Sequence, residues 1–198
     1  PEARGVDVAF IYRPAQFKLE GSRPVKADVP ELPNFRTRDI LTMWGTIEDE
    51  PFYFMVVHWP SRLGGKDASE FNRIALGEQM RRLADSVLMQ NPKTKIVAMG
   101  DFNDTPDSAP FRLLDGRLVN MGLPLHAKGL GTIRYEGKWD LIDMFLTDPE
   151  TAERSCMEIV RVPFLMVKDS KHPGEKPLRT YSGPKYLGGV SDHCPVIL

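Results

Sequence analysis

Residues 6–12 (VDVAFIY) are apolar apart from Asp7, a pattern that predicts a strand closed by Arg13-Pro14. Residues 15–36 carry Pro24, Pro30 and Pro33 and read as loop. Two more strands are predicted over 39–47 and 52–59, and Glu48-Asp49-Glu50-Pro51 joins them as an antiparallel hairpin. Residues 61–66 (SRLGGK) read as a basic loop. One long helix is predicted over 67–91. Phe71, Ile74, Ala75, Leu83, Ala84, Val87 and Leu88 recur at helical spacing, Asp67 with Glu70 resembles a capping box, and Asn91-Pro92 ends the segment.

Residues 95–99 (KIVAM) are continuously apolar after Lys95 and predict a central strand buried on both faces. A short helix follows over 108–114, ending at Gly116, and 129–137 reads as a Gly-rich loop. Strands are predicted over 139–146, broken only by Asp140 and Asp143, over 157–162, and over 195–198. A loop rich in Lys, Gly, Pro and Tyr spans 168–189. Strands in hairpins together with a crossover helix predict a mixed α/β fold. No linker or shift in composition divides residues 1–198, so they read as a single domain.

Charge narrows the function. Lys and Arg number 26 against 27 Asp and Glu, a net charge of −1, which excludes a strongly basic nucleic-acid coat or an acidic tail but not a local basic patch. No apolar run approaches the roughly 18 residues of a membrane-spanning helix. Cys156 and Cys194 form no CxxC and read as two buried free thiols rather than a disulfide. The chain opens at Pro1 without a signal-like segment, so a secreted, periplasmic or cytoplasmic location stays open.

Four polar sites fall at strand ends or within a strand. Gly100-Asp101-Phe102-Asn103-Asp104 follows the predicted central strand. Asp101 and Asn103, two apart, point the same way, and a carboxylate beside an amide suits a metal-bound oxyanion or an aimed water. The same residues also favour plain turns. In Ser191-Asp192-His193 the last two residues would face opposite sides of a strand and serve different partners. Asp143 lies inside the apolar run LIDMFL, where a carboxylate is costly unless paired, and an imidazolium is a suitable partner. Asp140, at the strand entrance, is the weaker candidate. His58 ends FYFMVVH and leads to Ser61 and Arg62, whose hydroxyl and guanidinium suit a phosphate. Trp59, Tyr135 and Trp139 either flank a substrate or pack internally.

Val57-His58-Trp59-Pro60-Ser61-Arg62, IVAMGDFND, KWDLIDMFL and the terminal GGVSDHCPVIL resemble the endonuclease/exonuclease/phosphatase superfamily over nearly the whole chain. The resemblance implies a four-layer α/β sandwich, two mostly antiparallel mixed sheets face to face and flanked by helices. It also implies a divalent-metal phosphoesterase using Mg²⁺ or Mn²⁺, with Ca²⁺ usable. On that resemblance Asp101 would position or deprotonate the attacking water and Asn103 would orient it. His193, paired with Asp143, would contact a non-bridging phosphate oxygen or move a proton. Asp192 would bind the metal and His58 would stabilise charge on the phosphoryl group. Ser61, Arg62, Tyr135 and Trp139 are expected to contact substrate.

The sequence departs from the family at its start. Members open with an Asn-bearing strand, a helix and a strand ending in a metal-binding Glu, whereas residues 6–12 correspond to a later strand. The expectation is an N-terminally truncated fold, with Glu2 not promoted to ligand and a second chain able to complete the sheet. Two functions follow. One is hydrolysis of a phosphodiester or phosphomonoester by in-line water attack without a covalent intermediate, with a small soluble phosphoester ahead of nucleic acid or a phospholipid head group. The other is an inactive phosphoester-binding or interaction module that lacks the Glu.

Overall fold

A computed structural model describes residues 5–27, 37–62 and 65–198. Glu2 and the Pro30–Pro33 stretch lie outside them, as do two residues of the basic loop. Lys18–Val25 (β1), Ile40–Ile47 (β2) and Glu50–His58 (β3) form an antiparallel meander. The β2–β3 turn is the expected hairpin, and Glu48 and Asp49 both take positive φ (50° and 65°), the twist that a two-residue hairpin turn requires. The helix α1 (Lys66–Gln90) then crosses over to Lys95–Asp101 (β4), which pairs in parallel with β3.

Short elements follow: α2 (Ala109–Arg112), β5 (Val119–Asn120), α3 (Leu123–Ala127), β6 (Ile133–Tyr135), β7 (Lys138–Asp140) and β8 (Asp143–Thr147). After them come α4 (Pro149–Arg154), β9 (Glu158–Ile159), β10 (Met166–Lys168), β11 (Glu175–Pro177), β12 (Tyr181–Ser182), β13 (Lys185–Tyr186) and β14 (Val196–Ile197). The main sheet runs β1-β2-β3-β4-β8-β5, and β6–β7, β9–β14, β10–β11 and β12–β13 form two-stranded ribbons. A large sheet with further short sheets and helices is the mixed α/β class expected from the pattern.

The predicted central strand is central, because β4 lies between β3 and the antiparallel β8. Tyr53, Met55 and Val57 of β3 join Leu76, Met80 and Ala84 of α1 and Ile96 and Ala98 of β4 in one buried cluster. Gly100 is forced by this packing. It sits at φ 138°, and a Cβ there would fall 1.9 Å from the Val57 carbonyl oxygen, so only glycine lets β3 and β4 approach.

Several expectations are corrected. Residues 6–12 carry no ladder hydrogen bonds among the described residues. Phe10 and Tyr12 pack on Phe17, while Ile11 is exposed. The supposed loop 15–36 contains β1. Pro24 and Gly21 disguise it, and both are tolerated because β1 is an edge strand. The buried stripe of α1 runs through Arg73, Leu76, Met80 and Ala84, leaving Phe71 exposed. An arginine on the inner face is what shifted the periodicity. The helix begins at Lys66 with Gly65 as its N-cap, one residue ahead of the expected start, and the Asp67 side chain lies outside those described.

The predicted strand 139–146 divides into β7 and β8. Asp140 pairs with β6 while Asp143 pairs with β4, and buried Leu141 and Ile142 carry the chain between the two ladders. The Gly-rich stretch 129–137 contains β6, and 168–189 contains three short hairpin strands in full. The strands near 157–162 and 195–198 shrink to the β9–β14 ribbon. Both cysteines are free, but Cys156 is exposed and only Cys194 is buried. No helix among the described residues is long and apolar enough to cross a membrane.

Candidate active site

Register brings the chemistry together. Strand β3 is parallel to β4, and β8 is antiparallel to it. The end of β3, the end of β4 and the start of β8 therefore meet at one edge of the sheet, with His58 opposite Asp101 and Asp101 opposite Asp143. This is the carboxyl end of the parallel pair, where α/β sheets bind ligands. His193 arrives from the other end of the sequence. An isolated bridge pairs it with Ile133, and the Cys194 N–H donates to the Thr132 carbonyl at 2.7 Å.

His193 Nδ1 lies 2.8 Å from Asp143 Oδ2. Thr132 Oγ1 donates to the same oxygen at 2.6 Å. A carboxylate only accepts hydrogen bonds, so the proton of this pair sits on Nδ1 and Nε2 is left to act elsewhere. Burial pulls the His193 pKa down, but the hydrogen bond and charge of Asp143, helped by Asp101 and Asp192, outweigh it, and the pKa is raised. Burial is the first cause that lifts Asp101, and the facing Asp143 carboxylate is the second. Charge on His193 and the Asn103 N–H oppose them, and the net pKa is about 6.

Asp101, Asp143 and His193 each offer a ligand atom, and the three atoms lie within 4.8 Å of one another. His58 Nε2 is 3.4 Å from Asp101 Oδ2. The two facing carboxylates hold hard oxygen donors at a place where their mutual repulsion already lifts one pKa. That fits a divalent ion of the Mg²⁺ or Mn²⁺ type better than a soft metal.

Asn103 takes a positive φ of 51°, its N–H donates to Asp101 Oδ1 at 2.8 Å, and its Nδ2 donates to the Trp59 carbonyl at 2.9 Å. Asp101-x-Asn103 thus forms a turn, and its hydrogen bonds fix the orientation of both side chains. Trp59 itself is buried against Phe102 and Phe111 and serves packing.

The remaining expected residues stand apart. Asp192 is half exposed, and its Oδ2 accepts from Arg179 Nη2 at 3.0 Å, outside the Asp101–Asp143–His193 cluster. Arg62 gives its guanidinium to the protein: Nε to the Asn103 carbonyl (3.0 Å), Nη1 to Asp140 (3.0 Å) and Nη2 toward Asp104 (3.4 Å). Ser61 is exposed at the start of the same loop. Trp139 lies under Arg161, whose guanidinium carbon is 4.0 Å from the ring centroid, and Tyr135 is exposed on β6.

Two groups escape a sequence reading. Arg73 and Asp104 are fully buried and paired at 2.8 Å, and Arg73 Nη1 also donates to Ser69 Oγ at 2.8 Å. This pair anchors the loop that carries Asn103 to the inner face of α1. Thr132 is the other, and its only signal was a hydroxyl two residues after Leu130 in the Gly-rich stretch. His126 and His172 also lie beside acids, Asp107 at 3.2 Å and Asp169 at 3.4 Å. Pairing with an acid therefore does not by itself single out His193; the second facing carboxylate does.

A family model described as Endonuclease/Exonuclease/phosphatase family matches residues 1–198. No curated protein matches the chain. Among solved structures, truncated TDP2 of Caenorhabditis elegans is 13% identical at a TM-score of 0.61, covering 91% of this chain and 66% of that one. The human Nocturnin catalytic domain with bound sulfate is 16% identical at a TM-score of 0.55, covering 92% and 60%. A mannosyl-6-phosphatase of Bacteroides thetaiotaomicron is 16% identical at a TM-score of 0.57, covering 93% and 67%. The chain thus spans about two thirds of the length of these structures or less. Nothing in these likenesses supports a second chain that completes the sheet.

Proposed function

The chain belongs to the endonuclease/exonuclease/phosphatase family, and from that premise we propose that it hydrolyses a phosphoester by direct attack of water at the Asp101–Asp143–His193 edge of the sheet. The observation that carries the reading is the register of the sheet. It sets two carboxylates opposite each other and brings an imidazole onto one of them from 50 residues away.

Each residue has a role that follows from its surroundings. Asp101, with a pKa near 6, is ionised at neutral pH yet basic enough to accept a proton from an attacking water. Asn103, fixed by its hydrogen bonds to Asp101 and Trp59, orients that water with the rest of its amide. Asp143 and Thr132 hold the His193 ring so that Nε2 meets a non-bridging phosphate oxygen, and the raised pKa favours the cation that such an oxygen attracts. His58 adds positive charge from the β3 side when protonated.

Asp101 and Asp143 would hold a magnesium or manganese ion, which when bound neutralises phosphoryl charge and acidifies its water. Asp192, engaged by Arg179, is not needed for this assignment. Charge on three phosphoryl oxygens is what repels a nucleophile, so a site made of acids alone would fail, and the imidazolium side of the pocket matters as much as the acid side.

The test is hydrolysis of bis(p-nitrophenyl) phosphate and p-nitrophenyl phosphate with Mg²⁺ or Mn²⁺. We expect Asp101→Ala and His193→Ala each to lower kcat by about 100-fold or more. Wild-type rates in both variants would overturn the assignment.

A further inference from the structure

Residues 178–190 place apolar surface in solvent where the fold gains nothing from it. Tyr181, Tyr186 and Val190 are 57%, 64% and 68% exposed. Tyr181 pairs with Tyr186 across the β12–β13 ladder, their ring centroids 5.3 Å apart and tilted by 59°. A two-stranded ribbon of this length cannot hold itself together by burial.

The backbone is nevertheless shaped with care. Gly183 and Gly188 take positive φ (57° and 78°), and a Cβ on Gly189 would fall 1.8 Å from the Leu178 carbonyl oxygen. Thr180 Oγ1 donates to the Val190 carbonyl at 2.9 Å, and the Leu187 N–H donates to the Thr180 carbonyl at 2.8 Å. The base of the hairpin is tied to the active edge, because Arg179 bonds Asp192 and the next residue is His193.

The geometry points to the Tyr181–Tyr186 hairpin as a stacking platform for unpaired bases of a single-stranded nucleic acid whose backbone phosphate reaches His193. The inference rests on the phosphoesterase reading and names its substrate class. Tyrosine faces stack on any base without reading sequence. Lys185 is exposed at the hairpin tip, Lys168 and Lys171 are exposed on the preceding β10–β11 hairpin, and all three complement a polyanion. The tip, Ser182-Gly183-Pro184-Lys185, carries no long apolar side chain. The part of the hairpin that would enter a bilayer is therefore polar, which favours nucleic acid over a lipid surface.

The test is fluorescence anisotropy of a labelled 15-nucleotide oligo(dT) with the full chain, at low salt and in EDTA so that turnover plays no part. Tyr181→Ala and Tyr186→Ala should each weaken binding by about tenfold, within the range of a lost base–aromatic stack, and the Phe variants should bind within about twofold of wild type. Matching thermal melts of all variants establish that they fold. Wild type that ignores the oligonucleotide, Ala variants that bind like wild type, or Phe variants as weak as Ala would each overturn the platform. Sedimentation with phosphatidylcholine–phosphatidylglycerol vesicles without oligonucleotide binding would overturn it in favour of a membrane. The phosphoesterase reading fails separately. Tyrosine-dependent binding with no hydrolysis in Mg²⁺ or Mn²⁺ removes that reading and leaves the platform standing.

Discussion

Asp101 and Asp143 occupy one register position of the β4–β8 ladder, so two carboxylates face each other where the sheet opens to solvent. Like charges at that distance resist joint ionisation, and the consequences are measurable.

The first is a pH dependence of stability. Asp101 titrates near 6 in the folded chain, above its ordinary value of 3.8. A carboxyl with a raised folded pKa contributes fully below its unfolded pKa and loses that contribution as pH rises through the folded one. Between pH 5 and 7.5 the loss is about 1.4 kcal/mol for a shift of about two units. In EDTA, wild type should melt lower at pH 7.5 than at pH 5, and Asp101→Asn should flatten the difference. Parallel profiles for the two proteins would remove Asp101 as the cause.

A divalent ion should reverse that loss. Manganese at about a hundredfold excess over its Kd adds roughly 2.7 kcal/mol to a protein that binds it only when folded. The increase in Tm should be larger at pH 7.5 than at pH 5, where protons compete for Asp101, and should shrink in Asp143→Asn. Thermal melts that ignore manganese at both pH values would sink the ion site.

Thr132 Oγ1 donates to the Asp143 carboxylate and also accepts from the Ile142 and Asp143 N–H groups at 3.3 Å each, and its effect on rate should run through the carboxylate. Thr132→Val removes the donor at 2.6 Å. We expect kcat to fall by about tenfold, the lower end of what a positioned hydrogen bond in such a site contributes, with the acid limb of the pH–rate profile moved and KM little changed. Thr132→Ser should restore both. A variant that loses stability without moving the profile would show that the hydroxyl is only structural.

The Arg73–Asp104 pair should be costly to break from either side. Both side chains are fully buried, so Asp104→Asn takes the carboxylate from Arg73 at about 3–5 kcal/mol, and Arg73→Met, which leaves Asp104 with Arg62 at 3.4 Å and the Thr105 N–H, should cost less. Urea unfolding of the single variants checks this, and the double variant Arg73→Met/Asp104→Leu should recover part of the loss. Equal stability of single variants and wild type would show that the pair is not what fixes the Asn103 loop.

The legible part of this fold was what repeats or sits at an element's end. Residues 95–99 announced a central strand because a strand covered on both faces must be apolar throughout. His58, Asp101 and Asp143 stood out because each interrupts or terminates an apolar run. Asp192 and His193 do contact different partners, Arg179 and Asp143, but Asp192 lies in a bend and His193 in an isolated bridge rather than on a strand. What stayed hidden depends on partners far away in sequence. Arg73 looks like a solvated helix residue until Asp104, 31 positions on, is folded against it. Strand β1 was lost because edge strands tolerate the proline and glycine that normally signal a loop. Arg62 looked like a phosphate ligand because nothing local reveals that three protein acceptors share its guanidinium.

The single bridge between Ile133 and His193 separates two timescales of assembly. The β2–β3 hairpin, α1 and β4 join neighbours in the chain, whereas His193 must close a 60-residue span to reach Ile133 of β6, and contacts of such separation form late. During refolding, secondary structure and core fluorescence should therefore return before catalytic competence. The lag between them measures how slowly the tail docks.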